Sequence, residues 1–428
     1  MLDIEAELER SPASVNALKV VKRLTSEGFE AYLVGGCVRD LMLGKSPKDY
    51  DVATNAHPEE VKDLFRNSRL IGRRFKIVHV RYGREIIEVT TFRAPHSELE
   101  NEEQSSDSGQ LLTDNIYGDF EEDVYRRDFT MNALYYDADL RHVEDLVEGT
   151  ADIEAKKIRL IGDPEKRFRE DPVRMLRAIR FRAKLGFDIE PKTAKPIKKF
   201  GFLLGNIPPA RLFEEVLKLF LSGHAEKSFD ALMEYDLFGW LFPDSQQCFD
   251  NPKAAELIRL ALQSTDRRIA NDQPVTPAFI FAALLWYPFI NEREKLVKDG
   301  MPAMPAFHEA SGNVLTRQQH VTSIPKRFSG PMRDIWQIQG RLPQTGGKKP
   351  SVLRSHKRFR AAYDFLLLRE ESGEMLDDIG KWWTQYQLDN PVEGGTTSQR
   401  QAEPEPEPEP EKKRRRRRRP RKKPAPSE

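Results

Sequence analysis

Three acidic side chains fall at spacings suited to holding divalent metal ions. Asp49 and Asp51 flank Tyr50 in a stretch, residues 48–53, that reads as a strand. Both carboxylates therefore leave the same face. Like charges on one face repel, and a cation is the usual compensation; hard Mg²⁺ prefers such oxygen ligands. A lone Asp-x-Asp is equally common on solvated strand edges. Glu88, flanked by Ile86, Ile87 and Val89, is a third carboxylate on an apolar strand. Three acids around two Mg²⁺ ions, roughly 4 Å apart, suit phosphoryl or nucleotidyl transfer, in which one ion activates an attacking hydroxyl and the other stabilises the leaving group. Such chemistry needs no serine or histidine nucleophile.

Other residues could serve a phosphate or a base. Gly35-Gly36 joins a strand to a helix, where bare backbone lets phosphates come close, and Arg39 lies one turn on. Gly-Gly is also the composition of a plain turn. Arg126-Arg127-Asp128 sits on a helix that begins near Glu121 and reads, in isolation, as a solvated face. Glu170-Asp171-Pro172 opens a helix that ends near Gly186. On it Val173, Leu176 and Ile179 share one face and Arg174, Arg177, Phe181 and Lys184 another. A basic stripe with an aromatic can pair with a base edge and stack on it, although an ordinary amphipathic helix has the same pattern.

The elements that must position these groups change character along the chain. Residues 15–30 read as an amphipathic helix, 30–34 as a short buried strand, 37–43 as a helix stopped by Gly44, and 58–65 as a helix. Residues 75–81 and 85–92 alternate at period two around Tyr82-Gly83-Arg84, a hairpin signal. Residues 94–116 are polar and read as a mobile loop, and 133–136 as a strand. A sheet with helices on one face is expected up to about residue 150. Beyond it the period is helical, including 210–221 and the apolar run 279–290, which contains Pro288, is too short to span a bilayer and reads as one buried helix. Helices continue to about residue 390, interrupted by a basic, Gly/Pro-containing stretch at 340–351. The fold class is α+β with an all-α continuation.

Composition bounds the rest. The 428 residues allow two to four domains. The formal net charge of +1 hides an asymmetry: residues 412–428 hold eleven Lys/Arg against one acid, while five acids stand in the run 403–411. The residues beyond about 393 cannot bury apolar surface and are expected to be disordered, with the Glu-Pro run stiff. The run Arg414, Arg415, Arg416, Arg417, Arg418 and Arg419 suits sequence-independent, salt-sensitive binding to RNA. Two cysteines, Cys37 and Cys248, argue against a disulfide framework or a zinc site. No signal-peptide pattern opens the chain and no integral membrane segment is visible, so a cytoplasmic protein is expected.

The ordered set Gly35-Gly36-Cys37-Val38-Arg39-Asp40, Asp49-Tyr50-Asp51, Arg126-Arg127-Asp128-Phe129-Thr130-Met131-Asn132 and Glu170-Asp171-Pro172-Val173-Arg174 resembles class II nucleotidyltransferases, which comprise bacterial poly(A) polymerases and tRNA CCA-adding enzymes. The segments 71–80 and 207–215 resemble the poly(A) polymerase version, and no His-Asp phosphohydrolase signature is visible. The resemblance implies a nucleotidyltransferase head over residues 15–150, a helical neck over 151–225, a helical body over 226–390 and a tail over 391–428. It implies Asp49 and Asp51 as the metal-binding catalytic pair and Asp128 as a further catalytic acid, to which the strand reading above adds Glu88. Arg127 and Asn132 would line the nucleotide site, to which the local reading adds Gly35, Gly36, Arg39 and Arg177, and Glu170, Asp171 and Arg174 would form the base-reading element. The implied activity is addition of AMP from ATP to RNA 3′ ends with Mg²⁺, in mRNA processing and decay, with RNA-decay factors as conceivable partners. The alternatives are a tRNA CCA-adding enzyme and, from another class, a non-catalytic RNA-binding protein.

Overall fold

Seven short strands build one mixed sheet: β1 (Ala31–Val34), β2 (Asp51–Thr54), β3 (Ser68–Ile71), β4 (Ile77–Tyr82), β5 (Glu85–Thr91), β6 (Tyr135–Asp137) and β7 (His142–Glu144). Their order is β3-β4-β5-β2-β1-β6-β7. In this computed structural model, which describes Leu8 and residues 12–72, 76–94 and 116–391, β2 and β5 are parallel and the other neighbours antiparallel. The β4–β5 hairpin closes as expected through Gly83-Arg84, with Tyr82 opposite Glu85 and Gly83 at φ 63°, the left-handed conformation that a tight hairpin turn requires. Among the described residues no helix is long and apolar enough to cross a membrane.

Alternation along the strands sorts two faces. Leu33, Val52, Val89 and Val78 stand in register on one, which α1 (Pro12–Ser26) covers with its apolar stripe Ala17, Val20, Val21 and Leu24. Val34, Ala53 and Tyr135 stand on the other. There they form a core with Phe92, Val124, Ala133 and Ile161, against which Tyr32 and Phe120 pack. Val124 and Phe120 belong to α4 (Phe120–Arg126), which follows α2 (Gly36–Met42) and α3 (Pro58–Leu64). A capping box starts α4: the Asp119 carboxylate accepts from Glu122 N–H at 2.9 Å and Glu122 accepts from Asp119 N–H at 3.0 Å. The acidic cap is what lets this seven-residue helix carry Arg126 and Arg127 at its end.

Helices follow: α5 (Gly149–Glu154), α6 (Pro164–Glu170), α7 (Val173–Leu185), α8 (Pro191–Phe200) and α9 (Pro209–Phe220), then a wholly helical stretch as far as residue 371. A two-stranded ladder, Lys157–Ile158 against Asp188–Ile189, links the two regions. Compact units divide at Gly380; the described part of the second is the end of the helix Ile379–Asp389.

Three expectations are corrected. The strand expected at 48–53 begins only at Asp51, because its partner β1 ends at Val34 opposite it and Gly35, at φ 79°, turns that chain away. Glu170 ends α6 instead of opening α7: Pro172 forces Asp171 out of helical geometry, to φ −146° and ψ 93°, and breaks the run. The apolar run 279–290 is two helices, Pro277–Leu284 and Trp286–Lys298. Leu285 separates them, capping the end of one and the start of the other, and Pro288 has no N–H to offer the Leu284 carbonyl across that break. Phe75 of the hairpin, the polar loop at 95–115 and Arg414 to Arg419 lie outside the described residues.

Candidate active site

The register of β2 against β5 puts Asp51 directly beside Glu88. Paired residues on neighbouring strands share a face, and His79 of β4, opposite Glu88, completes the row. His79 Nε2 lies 3.2 Å from Glu88 Oε1. Burial, then the charge of Glu88 and more weakly that of Asp49, push the Asp51 carboxyl up to about 6, with Arg127 opposing them. Asp49 sits in the bend just before β2. Among the described residues no three His, Cys, Asp or Glu side chains are already drawn into a metal-holding cluster. The donor chemistry nevertheless fits a hard divalent cation: all three groups are carboxylates, and the raised Asp51 value, due first to burial and then to Glu88, marks a buried carboxylate that such an ion would stabilise.

Beside this row the chain turns at Gly35, whose amide donates to the Leu134 carbonyl at 3.1 Å. A side chain added at Gly35 would begin 3.7 Å from Arg127 Nη1, so the bare turn and this guanidinium adjoin. Arg127 is fixed from behind. Its Nη2 donates to Asp123 Oδ2 at 2.8 Å, its Nε bonds Tyr135 Oη, and its guanidinium lies 4.8 Å from the Tyr135 ring. Tyr135 Oη also donates to Asp123 Oδ2. Burial alone would raise the Asp123 carboxyl, but Arg127 and Arg126 outweigh it and hold the group well below the usual carboxylate range. Cys37 is inert: burial, then the charge of Asp51, push its thiol up to about 12.

Arg39 is turned into the protein. It is 3% exposed, donates to Asn132 Oδ1 at 2.5 Å and to Asp40 Oδ1 at 2.6 Å, and lies 5.2 Å from the Phe181 ring. It positions Asn132 and does not offer itself to solvent. Asn132 donates in turn to Asp128 Oδ1 at 3.2 Å, and Arg177 Nε donates to Asp128 Oδ2 at 2.5 Å. Burial would raise Asp128, but the Arg177 charge and these hydrogen bonds win and hold it at about 2. Phe181 is buried edge-on to Phe129 at 5.6 Å beneath Arg39, Arg177 and Arg180, so its ring is not a platform for a base. The stripe expected on α7 is thus a lock between that helix and the 128–132 segment, not an open surface.

Glu170 accepts from Arg167 Nη1 at 2.8 Å and from Arg174 Nη1 at 3.0 Å. Arg174 also donates to the Arg167 carbonyl at 2.7 Å. Asp171 accepts from Arg211 of α9 at 2.7 Å. Arg167 then reaches across: its Nη2 donates to the carbonyls of Arg126 and Arg127, at 2.5 and 2.6 Å. A cation on the carbonyl end of α4 is favourably placed. Burial and the neighbouring Arg174 charge pull Arg167 down to about 10.

Sequence reading missed Asp123, Tyr135, Arg167 and Arg211, the residues that hold the expected ones. It also missed Gly149, where any Cβ would meet the Thr130 carbonyl at 2.3 Å, and Asp152, which accepts from Thr130 Oγ1 at 2.7 Å and from Arg159 Nε at 2.9 Å. Only the helical spacings carried a signal: Asp123 precedes Arg127 by four residues and Arg167 precedes Glu170 by three.

Three family descriptions match the chain: "Poly A polymerase head domain" over residues 31–159, "Probable RNA and SrmB- binding site of polymerase A" over 186–248, and "Polymerase A arginine-rich C-terminus" over 299–423. The chain is 49% identical to the Poly(A) polymerase I of Salmonella typhimurium over 395 residues, which are 90% of this chain and 85% of that one. It is 46% identical to the Poly(A) polymerase I of Haemophilus influenzae over 408 residues, 92% and 90% of the two chains. Among solved structures, the Bacillus stearothermophilus CCA-adding enzyme in complex with CTP is similar at a TM-score of 0.56 and 26% identity, covering 89% of this chain and 83% of that one.

Proposed function

The chain belongs to the bacterial poly(A) polymerase I family, and from that membership we propose how its own residues add AMP units from ATP to RNA 3′ ends. The observation that carries the assignment is the register of β2 and β5, which sets Asp51 beside Glu88 with the charge of Asp49 in reach. Asp49, Asp51 and Glu88 would hold Mg²⁺, which supplies activation of the primer 3′-hydroxyl and charge neutralisation at the leaving pyrophosphate. The 3′-hydroxyl attacks the α-phosphorus of ATP, the bond from that phosphorus to the bridging oxygen breaks, and pyrophosphate leaves.

The remaining residues bind and orient. The side-chain-free turn at Gly35-Gly36 admits the triphosphate, and Arg127, held by Asp123 and Tyr135, presents a fixed guanidinium to it. Asp128, kept ionised by Arg177, anchors Asn132 and so the wall of the nucleotide site. Glu170, Asp171 and Arg174 offer acceptors and donors to the adenine edge, aligned with the triphosphate through Arg167. A base read by fixed hydrogen bonds is discriminated strongly, because the wrong base leaves those groups unpaired.

We assign the products to mRNA processing and decay, in the cytoplasm, with RNA-decay factors as partners. The RNA- and SrmB-binding description matched at 186–248 supports that assignment. Incubation of a labelled oligo(A) primer with ATP alone tests the activity. Long, heterogeneous products are expected; growth only on tRNA, and only with CTP present, would move the chain to the CCA-adding activity. Asp51→Ala should abolish AMP addition while leaving RNA binding intact, and unchanged addition would remove the carboxylate row from the mechanism and return the chain to a non-catalytic RNA binder.

A further inference from the structure

The helical body contains a hollow that the reaction above does not use. A cavity of about 480 Å³ lies among the helices Trp286–Lys298, Ala303–Val321 and Lys326–Gln339. Trp286, Phe289, Phe307 and Trp336 give it an aromatic wall, and the rings brace one another: Phe289 stacks on Trp336 at 4.5 Å and 6°, and Phe307 meets Phe289 edge-on at 5.3 Å. A volume of this size takes a ligand on the scale of one nucleotide. Met304, 52% exposed, stands on its lining.

The surroundings are basic. Arg293 lines the cavity, and its Nε is buried without a hydrogen-bond partner among the described residues. Arg341 and Gln344 line both this cavity and an adjoining one of about 200 Å³, whose wall continues through Lys348 and Lys349. Between residues 335 and 363 the chain carries seven Lys/Arg and no acid. No acidic partner contacts Arg293, Arg341, Lys348 or Lys349 among the described residues. The four rings are buried and form an apolar floor, so the unneutralised cations and this floor together suit one nucleotide: charge tracks the backbone, and the floor with Met304 takes the base. A globular ligand without phosphates would leave these cations uncompensated.

We propose that the larger cavity holds one unstacked base of single-stranded RNA and that the adjoining basic hollow holds the flanking phosphates. This gives the primer a second foothold, made of residues none of which belongs to the carboxylate site. The proposal rests on the reading of the chain as an enzyme acting on RNA. The helices are interrupted only over residues 340–348, where Arg341, Gln344 and Lys348 reach the hollows from the connecting turns, while Arg293 and Lys349 reach them from helices.

The experiment uses the full chain and a fluorescent oligo(A) ended by a 3′-deoxynucleotide, so that binding is read by anisotropy without turnover. Met304→Glu puts a carboxylate at an exposed position on the cavity, and Arg293→Gln removes the cation with the unpaired Nε. Each should weaken binding about tenfold, the scale of one base left unstacked, while Met304→Leu binds as the wild type does. An abasic oligomer of equal length should bind the wild type about tenfold more weakly than oligo(A). Unchanged affinity in both variants, or equal affinity for the abasic oligomer, would overturn the proposal. Extension of an unblocked primer by the wild type is measured separately: a protein that binds in this pattern but does not extend contradicts the enzymatic reading and leaves the cavity assignment standing.

Discussion

Asp51 is held in a state that folding alone does not favour. Its value of about 6 lies above that of an aspartate in an unfolded chain. The folded protein therefore binds that proton more tightly than the unfolded chain, and stability falls as pH rises from about 4 to about 6, with the penalty complete at neutral pH. Asp51→Asn removes the charge, so the variant should melt at a higher temperature than the wild type at pH 7 and lose that advantage near pH 4. The gain is on the order of 1–3 kcal/mol. AMP addition should fall by more than the ~10–100-fold that loss of a partner behind a metal ligand costs. Melting curves at both pH values, with a primer-extension assay, check the pair of outcomes; a variant destabilised at pH 7 would mean that Asp51 is not charge-burdened. Gly35 carries a similar local cost. At φ 79° an alanine is strained by roughly 1–2 kcal/mol, and its methyl would stand against Arg127. Gly35→Ala should raise KM for ATP while the protein still folds, as circular dichroism and initial rates would show.

At the scale of elements, the lock between α7 and the 128–132 segment fixes the wall of the proposed nucleotide site. Asp128 is held at about 2 by Arg177, below its unfolded value. Its stabilising contribution is thus full above about pH 4 and is lost as pH falls through about 2. Arg177→Met leaves Asp128 buried without its cation, which costs about 3–5 kcal/mol. The variant should show a lower melting temperature at pH 7 and a flatter acid limb than the wild type, and parallel acid limbs would contradict the pair. Gly149→Ala should be nearly as severe, since its Cβ would sit 2.3 Å from the Thr130 carbonyl and displace the 3₁₀ turn that carries Asn132. Both couplings were hidden in the sequence. Arg177 and Phe181 are legible as a basic, aromatic stripe, but periodicity states only that they share a helix face and not what that face meets. The same holds for Arg39, whose position after Gly-Gly suggests a phosphate ligand and whose buried contact with Asn132 appears only when β1 and β6 lie side by side.

At the scale of the molecule, the charge asymmetry of the sequence predicts that capture of RNA and catalysis rest on different parts of the chain. Deleting residues 403–428 should weaken RNA affinity and reduce its salt dependence, by a slope of about 0.7 for each phosphate that the tail neutralises, and leave AMP addition at saturating primer unchanged. Filter binding across a salt series with saturation kinetics checks this, and loss of turnover at saturation would give the tail a role in the chemistry. The linear pattern of residues determined the closely spaced Asp49 and Asp51, the Gly-Gly turn, the β4–β5 hairpin, the passage from sheet to helices and the basic end of the chain. All of these rest on contacts within a few residues, which spacing and propensity encode directly. The tertiary structure alone decided that Glu88 stands beside Asp51, that Asp123 and Tyr135 fix Arg127, and that Arg167 joins Glu170 and Arg174 to α4. Those pairings bridge tens of residues and depend on strand order, register and the docking of one helix on another, which are set by the burial of many apolar side chains together and by no local run of residues.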